Sequence, residues 1–269
     1  MHGKAAAIAP ALARSPGLEV ETVASLDTDA LGTFTGETPR AGDMRDAAIA
    51  KARLGMAAAR CAIGIASEGS FGPHPMVPFI AAATELLVLV DDDLELIVQE
   101  TMISERTNFA HIAIGQDGEA LAQFLAGLGF PSHAVVVRPN EGPGPVRKGL
   151  VDGDEVSRAV SEAASASTDR LARIETDMRA HLNPTRRAEI ARLAERFAAR
   201  LARLCPACGA PGFGAVSTQP GLPCALCGAP TGLVKAVISG CMCCTHTVTE
   251  GRSDGLADAS PANCPECNP

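Results

Sequence analysis

The chain has 269 residues, 46% of them hydrophobic and 20% charged, with a formal net charge of −8 and neither tryptophan nor tyrosine. That length holds one sizeable domain plus a small module. The longest apolar stretch, residues 77–90, contains Glu85 and falls short of the roughly twenty residues a membrane helix needs, so no membrane partner is expected. An acidic chain lacks the electrostatic term that dominates binding to nucleic-acid phosphates, so nucleic acid is not an expected partner either.

Residues 4–14 read as a helix and residues 18–23 alternate like a strand, followed by a loop to residue 42. The alanine-rich start is broken by Pro10 and closed by Arg14, unlike an export signal, and a cytoplasmic location is expected. Residues 43–60 predict a helix, and residues 61–67 a buried strand that ends in a loop over 67–75. Residues 86–90 and 94–99 predict a strand pair reversed at Asp91, Asp92 and Asp93. A helix over 116–128, a strand over 134–138 and a Pro/Gly-rich loop over 139–146 follow. From Asp154 the pattern reads as helical almost to Leu204, interrupted where Pro184 disfavours helical geometry at Asn183. This alternation predicts an α/β, mixed-sheet domain over residues 1–150, a helical extension packed on it over 151–204, and a small zinc-ribbon-like module over 205–269.

The module carries nine of the ten cysteines, eight of them in four CxxC pairs: Cys205/Cys208, Cys224/Cys227, Cys241/Cys244 and Cys264/Cys267. A CxxC turn brings two sulfurs to one point, and two such turns supply a closed tetrahedral site. Disulfides would need an oxidising compartment, and a redox dithiol would need only one pair. Four pairs predict two structural metal ions, with zinc favoured and iron compatible. Fifteen residues separate Cys208 from Cys224 and nineteen separate Cys244 from Cys264. The pairs can join sequentially or in a cross-brace of first with third and second with fourth; sequential pairing closes shorter loops and is the expectation. Cys243 and His246 are read as bystanders.

Several polar clusters are candidate sites. His74 is held between Pro73 and Pro75 in a glycine-bearing stretch. Residues 104–111 gather Glu105, Asn108 and His111 around Phe109. Residues 175–186 bring Glu175, Asp177, Arg179, Asn183 and Arg186 to a helix break, where Asn183 and Thr185 can cap a helix whose N-terminus favours an anion. The arginines of 185–204 are read as a solvated helix face.

The segment Asp-Ala-Ala-Ile-Ala-Lys-Ala-Arg at 46–53, with Ser-Glu-Gly-Ser at 67–70, Glu-Thr-Pro-Arg-Ala-Gly at 37–42 and His-Gly-Lys at 2–4, resembles the inosine/xanthosine triphosphate pyrophosphatase superfamily. The resemblance spans the first seventy to eighty residues and departs from the family pattern at Ala47, Ala66 and Ser67. It implies a nucleotide- or phosphate-ester-binding protein, a divergent nucleoside triphosphate pyrophosphatase. Asp46 and Glu68 would hold hydrated Mg2+, Lys4 and Lys51 would contact phosphates, and Ser67, Gly69 and Ser70 would donate around the same anion. The alternative is a non-enzymatic zinc-ribbon protein that binds protein or nucleic acid. Over almost its whole length, in residues 66–75, 175–186 and 220–228, the chain also resembles an uncharacterised bacterial family, a domain of unknown function ending in cysteine knuckles; that likeness implies architecture and no activity.

Overall fold

The structure is a computed structural model and describes residues 3–23, 43–115 and 117–269. His2, the 37–42 motif, most of the loop expected up to residue 42 and Gln116 therefore lie outside the described residues.

The first layer is an antiparallel three-stranded sheet, β1 (Ile63–Pro73), β2 (Ala81–Asp91) and β3 (Leu96–Ser104), in that spatial order. β2 is the central strand, and its near-continuous apolar run fits burial on both faces. One face receives α2 (Met44–Ala59), whose Ala48, Ala52 and Met56 pack on Leu86, Val88 and Val90. The other receives α1 (Ala5–Arg14) and α5 (Pro184–Ala202). The buried stripe of α5 runs through Arg186, Ile190, Leu193, Phe197 and Leu201, the helical period, and meets Leu12, Leu87, Leu89, Leu96 and Val98 in the main core. The expected reversal is present: the Asp91 side chain accepts from the amides of Asp93 and Leu94, each at 3.1 Å.

A second antiparallel sheet has the order β4 (His111–Ile114), β7 (Ala172–Thr176), β5 (Val135–Pro139), β6 (Arg147–Leu150). Its core is closed by α3 (Gly118–Leu128) and α4 (Gly153–Ala166), begun by the N-caps Asp117 and Asp152. The third sheet, β10 (Thr247–Gly251), β9 (Val234–Gly240), β8 (Gly214–Pro220), lies among the cysteine knuckles. It is tied to the body by Arg200, which donates to the carbonyls of Gly212 and Gln99.

Three sequence expectations are corrected. Residues 18–23 form no ladder; Leu18 and Val20 alternate because they pack on the main core from an extended segment. The loop expected from residue 67 is strand through Pro73, paired rung by rung with β2 up to Pro73 opposite Ala81. The near-continuous helical reading after Asp154 missed β7, whose Ala172, Ile174 and Thr176 are buried at the centre of the second sheet.

Candidate metal centres and a buried ionic site

The eight CxxC cysteines gather into two groups of four, Cys205, Cys208, Cys241 and Cys244, and Cys224, Cys227, Cys264 and Cys267, with all sulfurs of a group within 4.8 Å of one another. The expected sequential pairing is thus overturned: the first pair joins the third and the second joins the fourth. The backbone decides this, because β9 runs antiparallel between β8 and β10 and carries the third knuckle back beside the first. Sulfur contacts of 3.8 and 3.6 Å in one group and 3.9 and 3.6 Å in the other match the edge of about 3.8 Å that a tetrahedron with metal–sulfur bonds near 2.3 Å requires.

Local hydrogen bonds lower one thiol in each group. Burial pushes the Cys241 thiol up, but the amides of Cys243 and Cys244, donating at 3.3 and 3.4 Å, bring it down to about 6. Amides of Cys227 and Leu226 bring the Cys224 thiol down to about 7. The first and second knuckles carry a repeated sequence, Cys-x-x-Cys-Gly-Ala-Pro, at 205–211 and again at 224–230. The two copies fold alike. Cys205 N donates to Ala210 O and Gly209 N to Cys205 O, and Cys224 N to Ala229 O and Gly228 N to Cys224 O, with left-handed glycines at φ +76° and +72°. Cys243 and His246 stand outside both groups, with the His246 ring against Phe213.

The second site is built around β1, the edge strand of the first sheet. With no strand beyond that edge among the described residues, the Ser67 carbonyl accepts from Lys4 Nζ at 2.8 Å, and Ser67 Oγ lies 3.4 Å from the same amine. Lys4 opens α1 and is preceded by Gly3, which takes φ +69° and passes so close to His181 that a side chain would meet it. Two residues beyond Ser67 on the same strand, Gly69 faces Glu85. A Cβ at Gly69 would collide with the Glu85 carboxylate and with Arg186, so glycine is required there for space. Arg186 Nε and Nη2 grip the two Glu85 oxygens at 2.7 and 3.2 Å, Nη1 donates to the Met178 carbonyl, and the guanidinium lies 4.9 Å from the Phe71 ring centre. Across the pleat, Lys51 from α2 pairs with Glu68 at 2.5 Å.

Glu85 was missed as a site residue. Its signal was legible: a single charge inside an apolar run, 1% exposed in the fold, must be paired.

Lys4, Lys51, Ser67, Glu68, Gly69 and Arg186 are thus brought together, whereas the other candidates are not. Asp46 is exposed at the start of α2, about 140° around and 7.5 Å along the helix from Lys51. It does not face Glu68, and the two-carboxylate magnesium arrangement is absent among the described residues. Ser70 is exposed on the pleat opposite Gly69. His74 lies in the hairpin turn, about 16 Å along the strand from Gly69, where its Nδ1 accepts from Met76 N. Asn183 caps α5, accepting from Arg186 N at 2.9 Å, and donates to Asn108 Oδ1 at 2.9 Å. Both asparagines therefore fix the turn that delivers Arg186. His111 is exposed at the start of β4, beside Phe109.

Electrostatically, Lys4 differs from its neighbours. Lys51, Arg186 and Arg179 each hold a carboxylate, Arg179 through Asp177 at 2.6 Å. Among the described residues the Lys4 amine hydrogen-bonds only Ser67, and no carboxylate there reaches ion-pair distance of it. Burial first, then Arg186, lowers the amine to about 8, against the upward pull of Glu85 and Glu68.

Residues 51–269 match the model of a protein family described as Domain of unknown function (DUF6671). No curated protein and no solved structure matches the chain. The likeness of the N-terminal part to the pyrophosphatase superfamily finds no support there. Its local basis is a helix-to-strand step, from which β1 continues into an antiparallel hairpin.

Proposed function

The chain belongs to the DUF6671 family, whose description assigns no activity, and from the arrangement around β1 we propose that it binds a small phosphate ester or nucleotide at Lys4. The observation that carries this reading is the Lys4 amine itself: a partly buried cation with no carboxylate at ion-pair distance among the described residues, at the start of α1, where Gly3 packs on His181 and the Arg186 charge is felt. Buried charges are normally paired, and an anionic ligand supplies the missing charge. An ammonium has three donors, and Ser67 takes two. Lys51 and Arg186 hold the walls rather than the ligand, since each is bound to a carboxylate.

Metal-dependent hydrolysis gains nothing from this arrangement, because Glu68 is held by Lys51 and Asp46 faces elsewhere. In the cysteine module, four thiolates at tetrahedral spacing suit zinc, whose role there is to fold the tail: a closed site leaves no position for substrate. Persistent thiolates accord with a reducing, cytoplasmic setting. Nucleic acid is a poor partner for the module. Lys235 and Arg252 are its basic residues against Glu250, Asp254, Asp258 and Glu266, and each tetrathiolate zinc adds about two negative charges.

Thermal-shift and calorimetric titration of the zinc-loaded chain with nucleoside mono-, di- and triphosphates and sugar phosphates, with and without magnesium, tests the proposal. A ligand at a hundred times its Kd should add about 2.7 kcal/mol of stability. Lys4→Met should abolish the effect while leaving zinc content unchanged. Equal binding by wild type and Lys4→Met, or no stabilisation by any phosphate ester, rejects the reading. Pyrophosphate release dependent on Glu68 would show that the hydrolase form had been discarded wrongly.

A further inference from the structure

The two metal centres use similar turns but present different surfaces. At the first, the knuckle carries Pro206 and Ala207, and the centre leans on the body: Cys243 Sγ lies 3.8 Å from Leu94 O, and Arg203 stacks over Phe213 at 5.2 Å. At the second, the equivalent positions are Ala225 and Leu226. Leu226 is 74% exposed although its amide is fixed to Cys224 Sγ at 3.4 Å.

Another segment lies alongside this knuckle. Ala225 N donates to Ala259 O at 2.9 Å and Ala259 N to Pro223 O at 2.7 Å, which brings exposed Leu256 and Asp258 to the same part of the module. The fourth knuckle, on the same centre, exposes Glu266. Of the module's two basic residues, Arg252 is neutralised by Asp254 and donates to Val234 O, and Lys235 follows Val234 on β9, exposed. The segments around this centre therefore expose a leucine with a fixed backbone together with Asp258 and Glu266, which outnumber Lys235, and bound zinc would deepen that negative charge.

We propose that this face of the second metal centre docks a basic segment of a partner protein that carries an apolar anchor residue. The charge frame selects a cationic partner and repels nucleic acid. Leu226, already immobilised by the knuckle, offers contact area at little ordering cost. This proposal stands independently of anion binding at Lys4.

The probe is a labelled Arg-Arg-Leu-Arg-Arg peptide added to the zinc-loaded full chain, followed by fluorescence anisotropy and amide NMR. Expected are shifts confined to residues 224–227, 256–259 and 264–267, and a loss of affinity of about tenfold or more in Leu226→Ala and in the double variant Asp258→Lys/Glu266→Lys. Arg-Arg-Gly-Arg-Arg should bind more weakly than the leucine peptide by a similar factor. Zinc content and melting temperature of Leu226→Ala should stay those of wild type, since its side chain is exposed. Shifts centred on another acidic site such as the 91–93 turn, equal binding of the two peptides, no binding, or full affinity in Leu226→Ala would each overturn the proposal.

Discussion

Arg186, in the first turn of α5, holds Glu85 from the middle of β2 by two hydrogen bonds, one to each carboxylate oxygen, although they lie 101 positions apart in the chain. Both side chains are almost fully buried, at 4% and 1% exposure. Removing one partner leaves an uncompensated buried charge, so Glu85→Ala should cost about 3–5 kcal/mol. Urea denaturation should show this as a lower midpoint at unchanged slope. The double variant Glu85→Leu/Arg186→Met should recover part of the loss, because it removes both charges. A double variant no better than the single would mean that charge compensation is not what the pair contributes.

How far the sequence revealed this arrangement depends on what each residue answers to. The CxxC pairs were legible because two thiolates on one turn are a local pattern. Their partnering was not, because gaps of fifteen and nineteen residues accommodate either connection. Loop entropy favoured neighbours, but the ladders of β9 with β8 and β10 outweigh it. Gly69, Gly72 and Pro73 imitate a turn in sequence, yet Gly69 is there to make room for Glu85 and Arg186. β7 is five residues long and flanked by strong helical patterns, and its identity comes from its neighbours β4 and β5 rather than from itself. Lys4 could be flagged through the likeness of residues 2–4 and Arg186 as a polar residue at a helix break. That they share one site depends on α1 docking against α5, a tertiary fact.

Interleaving makes the two metal centres interdependent. The first centre closes the loop from Cys208 to Cys241, which contains Cys224 and Cys227; the second closes the loop from Cys227 to Cys264, which contains Cys241 and Cys244. Losing either metal therefore loosens the loop that carries one of the two ligand pairs of the other. Cys208→Ser or Cys227→Ser should lower the metal content from about two ions per chain to well below one, rather than to one. Native mass spectrometry with elemental analysis checks this. A stable population with one metal in either variant would show that the centres load independently.

The lowered Lys4 amine gives two pH effects of defined sign. Its proton is held less tightly in the folded chain, at about 8 against an ordinary 10.5. Between these values the unfolded chain binds more protons, so the contribution of this group to stability rises with pH across that window; below about 8 its unfavourable burial is fully present. Ligand binding runs the other way. An anion needs the charged amine, so phosphate-ester affinity should fall as pH rises through about 8. Titrations between pH 6.5 and 9.5, at constant ionic strength, would read both, and Lys4→Met should flatten the stability profile there. An unchanged profile in that variant would assign the effect to another group.

The paired left-handed glycines of the repeated Cys-x-x-Cys-Gly-Ala-Pro turn give a test of a purely backbone contribution. Gly209 and Gly228 take φ +76° and +72°, and a Cβ added at either would have no atom within 4 Å, so a methyl group would meet no obstacle. The cost of alanine there comes from the left-handed conformation alone, about 1–2 kcal/mol. Gly232 also has open space around it and carries no positive φ, so Gly232→Ala serves as the control and should be near neutral. Because the two turns share the same hydrogen bonds, Gly209→Ala and Gly228→Ala should lower the denaturation midpoint by similar amounts, and asparagine should be tolerated better than alanine at both. A large asymmetry between the two positions would mean that contacts outside the turn, such as the packing of the first centre on the β2–β3 reversal, dominate the stability of one copy.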